Sequence, residues 1–134
     1  MKRREAREFV LQLLYQHEFN PQNPEKSLRE FWELIGMKSG EDYVERVFTG
    51  ILSNKIKIDT LIEESSTNWR LDRMSVIDRN ILRVSTYELL FDASIPDKVS
   101  INEAIEISKK FGSEDSSAFI NGILNKILIG NPRQ

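Results

Sequence analysis

The sequence of 134 residues contains no cysteine and a single histidine. The first absence excludes a disulfide framework, a Cys-ligated zinc or iron-sulfur site and a thiol nucleophile, and it suits a reducing compartment. The second leaves no basis for a His-based metal cluster. Apolar runs are only a few residues long, well short of the roughly 20 residues a membrane-spanning helix needs, and the N-terminus lacks the apolar segment of a signal peptide. Neither charge sign dominates: 19 Lys and Arg face 21 Asp and Glu, for a formal charge of −2. A uniformly basic nucleic-acid coat is therefore excluded, and any cationic surface must be local. The expectation is one cytoplasmic domain spanning residues 1–134, within the range of roughly 100–200 residues per domain.

Four prolines and six glycines fall mostly between stretches of helical apolar spacing, so they cut the chain into helix-sized pieces. Ala6, Phe9, Val10, Leu13, Leu14 and His17 follow the i, i+3, i+4, i+7 pattern of an amphipathic helix that ends before Pro21. Asn23 is placed to cap a second helix with Pro24 at its first position and Leu28, Phe31, Trp32 and Ile35 as its buried stripe. From Glu41 the stripe Val44, Val47, Phe48, Ile51, Ile58, Leu61, Ile62 weakens in phase near Ser53 and Asn54, which predicts two helices or one bent one. Ser66 to Arg73 lack helical periodicity. Ser75 then caps a stretch through Phe91 with few polar faces, as expected of a central helix. Past Pro96, Ser100 and Glu103 have capping-box spacing, and Lys109, Lys110 and Gly112 make a favourable helix end. Ser113 is expected to cap a last helix carrying Ile120, Ile123, Leu124, Ile127 and Leu128. Strand-like alternation is absent at any length, so the fold class is all-α with about six or seven helices.

No phosphate loop of the G-x-x-x-x-G-K-[ST] or G-x-G-x-x-G type is present, and the acids are scattered over helix faces. Asp72 and Asp78 are the best paired carboxylates, yet each sits near a helix start, where it favours the dipole. His17, on an apolar stripe without a positioned ionisable partner, reads as a core or boundary histidine. The N-terminus carries more information. Lys2, Arg3, Arg4 and Arg7 concentrate positive charge in the first two turns, against the helix dipole, which points to an anionic ligand or to a solvated terminus offset by Glu5 and Glu8. Arg4, Arg7, Leu11 and Tyr15 advance by three or four residues and so share one helix side, separate from the core stripe. Basic residues and an aromatic on one ridge suit an unstacked base and its phosphates; Tyr15 equally suits the edge of a core. At the last helix junction Phe111 ends one helix while Asp115 and Phe119 stand at i and i+4 on the next. Stacking on a base is one role for Phe119 and core packing the other, whereas packing is the simpler role for Phe111. Gly112 and Gly122 would permit close approach.

Taken together, these segments resemble the NusB family of transcription antitermination factors over nearly the whole chain. Three ordered blocks carry the resemblance: Ala6-Arg7-Glu8 through Leu14-Tyr15; Trp69-Arg70-Leu71-Asp72-Arg73 through Asp78-Arg79-Asn80-Ile81-Leu82-Arg83 to Tyr87-Glu88-Leu89; and Pro96 through Ile101-Asn102-Glu103-Ala104-Ile105-Glu106 and Lys109-Lys110-Phe111-Gly112 to Phe119-Ile120-Asn121-Gly122-Ile123-Leu124. The resemblance implies two packed helical bundles and a non-enzymatic role without cofactor or metal. It implies binding of the boxA RNA element together with NusE, also a small-subunit ribosomal protein, and joining RNA polymerase with NusA and NusG on ribosomal RNA transcripts. By position, Lys2, Arg3, Arg4, Arg7, Tyr15, Phe111, Asp115 and Phe119 would face RNA, and Asp72 and Asp78 would face NusE. Two departures bear on affinity: the arm holds only four cations, and Ala118 stands where some relatives carry a basic residue. Weak RNA binding alone is the consequence, with NusE supplying the rest. The alternatives are a helical protein adaptor that ignores RNA sequence, and the related domain that precedes a methyltransferase domain in some ribosomal RNA cytosine methyltransferases, which this sequence does not contain. A homodimer is compatible with the apolar faces, since these close a core or an interface equally well.

Overall fold

The computed structural model describes residues 2–37, 42–67 and 69–131. Among them are seven α-helices: α1 Arg3–Phe19, α2 Pro24–Ile35, α3 Asp42–Ser53, α4 Lys55–Ser65, α5 Val76–Phe91, α6 Asp97–Phe111 and α7 Ser116–Gly130, with a single 3-10 turn at Leu71–Arg73. No strand occurs among the described residues. Helices α1, α2 and α3 pack on one another as one bundle, α4, α5, α6 and α7 as a second, and α5 touches both. That position explains its composition: the nine residues from Ile81 to Leu89 are all buried, polar ones included.

Local chemistry sets most boundaries. The Asn23 side chain accepts hydrogen bonds from the backbone N–H groups of Glu25 and Lys26, and Pro24 occupies the first turn, where its missing N–H costs nothing. Gly36 closes α2 in the left-handed region at φ 79°, which glycine enters without a Cβ penalty. The Ser75 hydroxyl accepts from the Asp78 N–H at 3.0 Å. The phase weakness at residue 54 is a true break. Asn54 leaves helical geometry, and its side-chain amide donates to the Gly50 carbonyl at 2.8 Å, so α3 ends and α4 restarts one residue later.

Two expected starts are displaced. α6 begins at Asp97, because the extended Pro96 offers its carbonyl to the N–H groups of Val99 and Ser100. Ser100 is therefore buried one turn inside the helix, with its hydroxyl 3.0 Å from that of Ser85, and Glu103 reaches across to α1 instead of back to a cap. α7 begins at Ser116, not after Ser113; the Ser113 N–H donates to the Ser116 hydroxyl at 2.9 Å, so the capping hydroxyl lies on the other side of the turn.

Candidate nucleic-acid interface

Helix α1 supplies the basic arm, and its residues divide sharply by environment. Lys2, Arg3 and Arg4 are exposed. The Arg3 guanidinium lies 4.4 Å from the centre of the Tyr43 ring. Arg4 forks onto Glu103, with Nε and Nη2 at 3.0 and 2.5 Å from Oε2. Arg7 is only 3% exposed: its Nε and Nη2 donate to the two carboxylate oxygens of Glu88 at 2.8 and 3.2 Å, and Nη1 reaches Glu103 at 3.4 Å. The Tyr43 hydroxyl donates to the same Glu88 carboxylate. Burial, followed by the Glu88 charge and hydrogen bond, pushes the Tyr43 phenol far above its ordinary value, so it remains a donor. Arg7 thus belongs to a buried cluster.

The expected exposed ridge Arg4, Arg7, Leu11, Tyr15 is corrected by this arrangement. Leu11 is also buried, because α3 and α5 both pack on α1 and leave it little open surface in its middle. Arg4 and Tyr15 remain exposed at the two ends. Tyr15 pairs with Phe19, ring centres 5.0 Å apart, at the corner where α1 turns towards α2.

The α6–α7 junction carries the second set. Phe111, at the end of α6, is 43% exposed, and the Lys110 ammonium stands 5.1 Å from its ring centre. Lys110 also donates to Glu8 of α1 at 2.8 Å. The arm and the junction are therefore parts of one surface, joined by Arg4–Glu103 and Glu8–Lys110. Gly112 is needed where the chain reverses: a Cβ there would lie 2.5 Å from the Ser116 hydroxyl and 2.8 Å from the Ser108 carbonyl. At Gly122 a Cβ would meet nothing within 4 Å, so close approach is not the reason for that glycine. Asp115 is exposed and precedes α7 without capping it. Phe119 is half-buried, packed against the core on one side and meeting the Trp69 ring edge to face at 6.3 Å.

The two carboxylates assigned to a protein partner also separate. Asp72 is exposed in the 3-10 turn beside Arg70. Asp78 is 9% exposed, and its Oδ1 accepts from the Ser116 hydroxyl at 2.7 Å, so it ties the start of α5 to the start of α7 and is not the exposed first-turn acid expected. Beside it, Glu18 at the end of α1 accepts from Arg79, Asn80 and Arg83. Burial alone would raise the Glu18 carboxyl, but the bonds from Arg79 and Asn80 and the two guanidinium charges prevail and hold it below 4.5. His17 is half-buried with its ring edge-on to Phe48. Burial, with Lys55 adding to it, lowers its pKa below 6.5, and its Nδ1 has no hydrogen-bond partner among the described residues.

Glu88, Glu103, Lys110 and Trp69 were not among the site residues read from sequence, where Glu103 and Lys110 had only helix-end roles. One signal was available for Glu88: a carboxylate in a helix expected to be central and buried must find a cation, and the first two turns of α1 offer three arginines.

Comparison with known proteins agrees with this architecture. The family model described as the NusB family matches residues 4–128. A protein of Anaeromyxobacter sp. named Transcription antitermination protein NusB is 47% identical, over 98% of this chain and 93% of its own length. The solved structure of T. maritima NusB is 42% identical and superposes with a TM-score of 0.89, covering 99% of this chain and 94% of that one. The NusB chain in a crystal structure of the antitermination factors NusB and NusE with dsRNA is 25% identical, with a TM-score of 0.83 and 96% of both chains covered. The chain belongs to the NusB family.

Proposed function

We propose that this chain is a transcription antitermination factor that binds boxA RNA together with NusE. It acts in the cytoplasm within an RNA polymerase assembly that includes NusA and NusG, as an assembly factor and not as a catalyst. The observation that carries the reading is the bond between Lys110 and Glu8, which brings the end of α6, with Phe111, against the helix that carries Arg3 and Arg4; Asp115 and Phe119 follow Phe111 in the chain. Cations there engage phosphates, aromatic faces take unstacked bases, and a carboxylate accepts from a base amino group. The structural likeness to the NusB of a NusB–NusE–dsRNA complex supports the same partners. Asp72 offers the ribosomal protein an exposed carboxylate, with Asp78 behind it as a positioning residue, and Arg7 acts in RNA binding by fixing α1 rather than by touching the strand.

The affinity of the isolated chain is expected to be low, because Arg4 and Lys110 are already paired with Glu103 and Glu8. With three or four phosphates contacted, the salt slope should be roughly −2 to −3 at about −0.7 per single-strand phosphate. Anisotropy of labelled boxA RNA and a scrambled control, with and without NusE at two salt concentrations, tests this. A boxA preference that strengthens with NusE supports the reading. NusE binding with equal affinity for both RNAs supports instead the adaptor reading, which the internal pairing of the arm favours.

A further inference from the structure

Outside the arm and the α6–α7 junction, the largest exposed aromatic side chain with charged neighbours is Trp69, on the connection between α4 and the 3-10 turn. It is 53% exposed. On one side of Trp69 the Thr67 hydroxyl receives the Lys126 ammonium of α7 at 2.7 Å; on the other the Leu71 N–H donates to Glu63 of α4 at 2.9 Å. Between these anchors the indole rests against Phe119 at an interplanar angle of 81°. Arg70 and Arg73 follow it closely in the chain and are exposed, Arg70 3.5 Å from the exposed Asp72. An aromatic face set against a second ring, near guanidinium groups and an ammonium, matches what an unpaired base and its adjoining phosphates need.

We propose that Trp69 is a second base-stacking platform, which carries a single RNA strand from Phe119 onto the α4–α5 connection, with Arg70 and Arg73 on the adjoining phosphates. The proposal rests on the RNA-binding reading and extends its footprint to a side of α7 that the sequence did not indicate. It commits to an unpaired nucleobase because the indole meets the Phe119 ring directly and three cations are at hand, Arg70 and Arg73 next in the chain and Lys126 on Thr67, with Asp72 as the carboxylate a strand would displace from Arg70.

The chain has two tryptophans, and Trp32 is buried under α1 and α2, so a change of indole emission on RNA addition reports Trp69. Labelled boxA RNA titrated into the full chain gives anisotropy and tryptophan emission in one experiment, repeated with Trp69→Phe and Trp69→Ala. The expected result is quenching that saturates with the anisotropy and vanishes in Trp69→Phe. Trp69→Ala should bind about tenfold more weakly, as loss of one stacked base predicts, while Trp69→Phe keeps most of the affinity. If Trp69→Ala fails to fold by circular dichroism, quenching in the parent chain and its loss in Trp69→Phe decide the matter. Anisotropy that rises while emission stays constant overturns the platform and leaves the RNA reading intact. Emission that responds to NusE alone and not to RNA overturns it in favour of a protein contact, and no anisotropy change with any RNA removes both.

Discussion

Two arginines three residues apart on α1 meet carboxylates in opposite ways. Arg7 and Glu88 face each other in the interior, 2.8 Å apart, with Tyr43 completing the carboxylate's hydrogen bonds. Arg4 and Glu103 form an equally close fork, but the Arg4 side chain is more than half open to water. Desolvation sets the outcome. A buried pair adds little net stability when intact, yet removing one member strands a charge in the interior, whereas an exposed pair is screened and exchanges its partner readily. The same chemistry therefore builds the fold at one position and leaves a replaceable contact at the other, which is what a phosphate-binding cation requires.

The largest break in this comparison is Arg7→Ala. Glu88 would remain buried without its guanidinium, a loss of about 3–5 kcal/mol, and thermal unfolding should show a fall of roughly 10–20 °C. Arg4→Ala should leave the melting temperature near that of the parent and weaken boxA binding. Equal melting temperatures for the two variants would show that burial does not separate these pairs. Next in size is Gly112→Ala, where the added Cβ must push Ser116 or the Ser108 carbonyl; a loss of about 1–3 kcal/mol is expected, together with weaker RNA binding because Phe111 and Phe119 lose their relative placement. Denaturant titration and anisotropy on the same preparation would measure both.

Much of the fold was legible because its signals are local. Asn23 with Pro24, Ser75 before Val76, and the weak phase at Asn54 each fix a boundary within a few residues of chain, and the scarcity of polar faces along α5 matches the burial of every residue from Ile81 to Leu89. The site was legible in part. Charge at the N-terminus and aromatics at the α6–α7 junction are visible as residue types, but their joining through Glu8 and Lys110 spans 102 positions. The reading of Arg7 and Leu11 as an exposed ridge failed because helical spacing tells which residues share a side and not how many sides are covered. α1 is packed by both α3 and α5, so two of its faces are interior. Ser113 and Ser100 misled for a related reason: a hydroxyl at capping spacing is common, and Pro96 and the Ser116–Asp78 contact decided which starts were used.

Acid should find the other end of α1. Glu18 titrates below 4.5 in the fold because Arg79 and Asn80 hold its charged form against the cost of burial, and His17 is kept below 6.5 by burial and Lys55. Both folded values lie below the unfolded ones, so in each case the unfolded chain binds the proton first. Stability from His17 is present above 6.5 and is lost as pH falls through its folded value; stability from Glu18 is present above 4.5 and is lost at lower pH still. Denaturation at about pH 7, 5.5 and 3.5 should therefore show two successive losses. Glu18→Gln should remove most of the second and leave the first, and an unchanged acid limb in that variant would mean that the Arg79 and Arg83 contacts do not stabilise the fold.

The smallest effect concerns the exposed pairs themselves. Glu8 and Glu103 occupy Lys110 and Arg4 in the absence of RNA, so a strand that binds must displace carboxylates as well as counterions. Glu8→Gln, which keeps the shape of the side chain and removes its charge, should raise boxA affinity about two- to fivefold at low salt, the scale of one exposed ion pair, with the gain shrinking as salt screens it. Lys110→Ala should do the reverse and make the salt slope shallower by about 0.7, the value of one released counterion. If Glu8→Gln left affinity unchanged while Lys110→Ala lowered it, Lys110 would reach phosphate without leaving Glu8. The pair would then act as a positioning strut between α1 and the α6–α7 junction, and the exposed contacts of the arm would share the structural role that burial gives to Arg7.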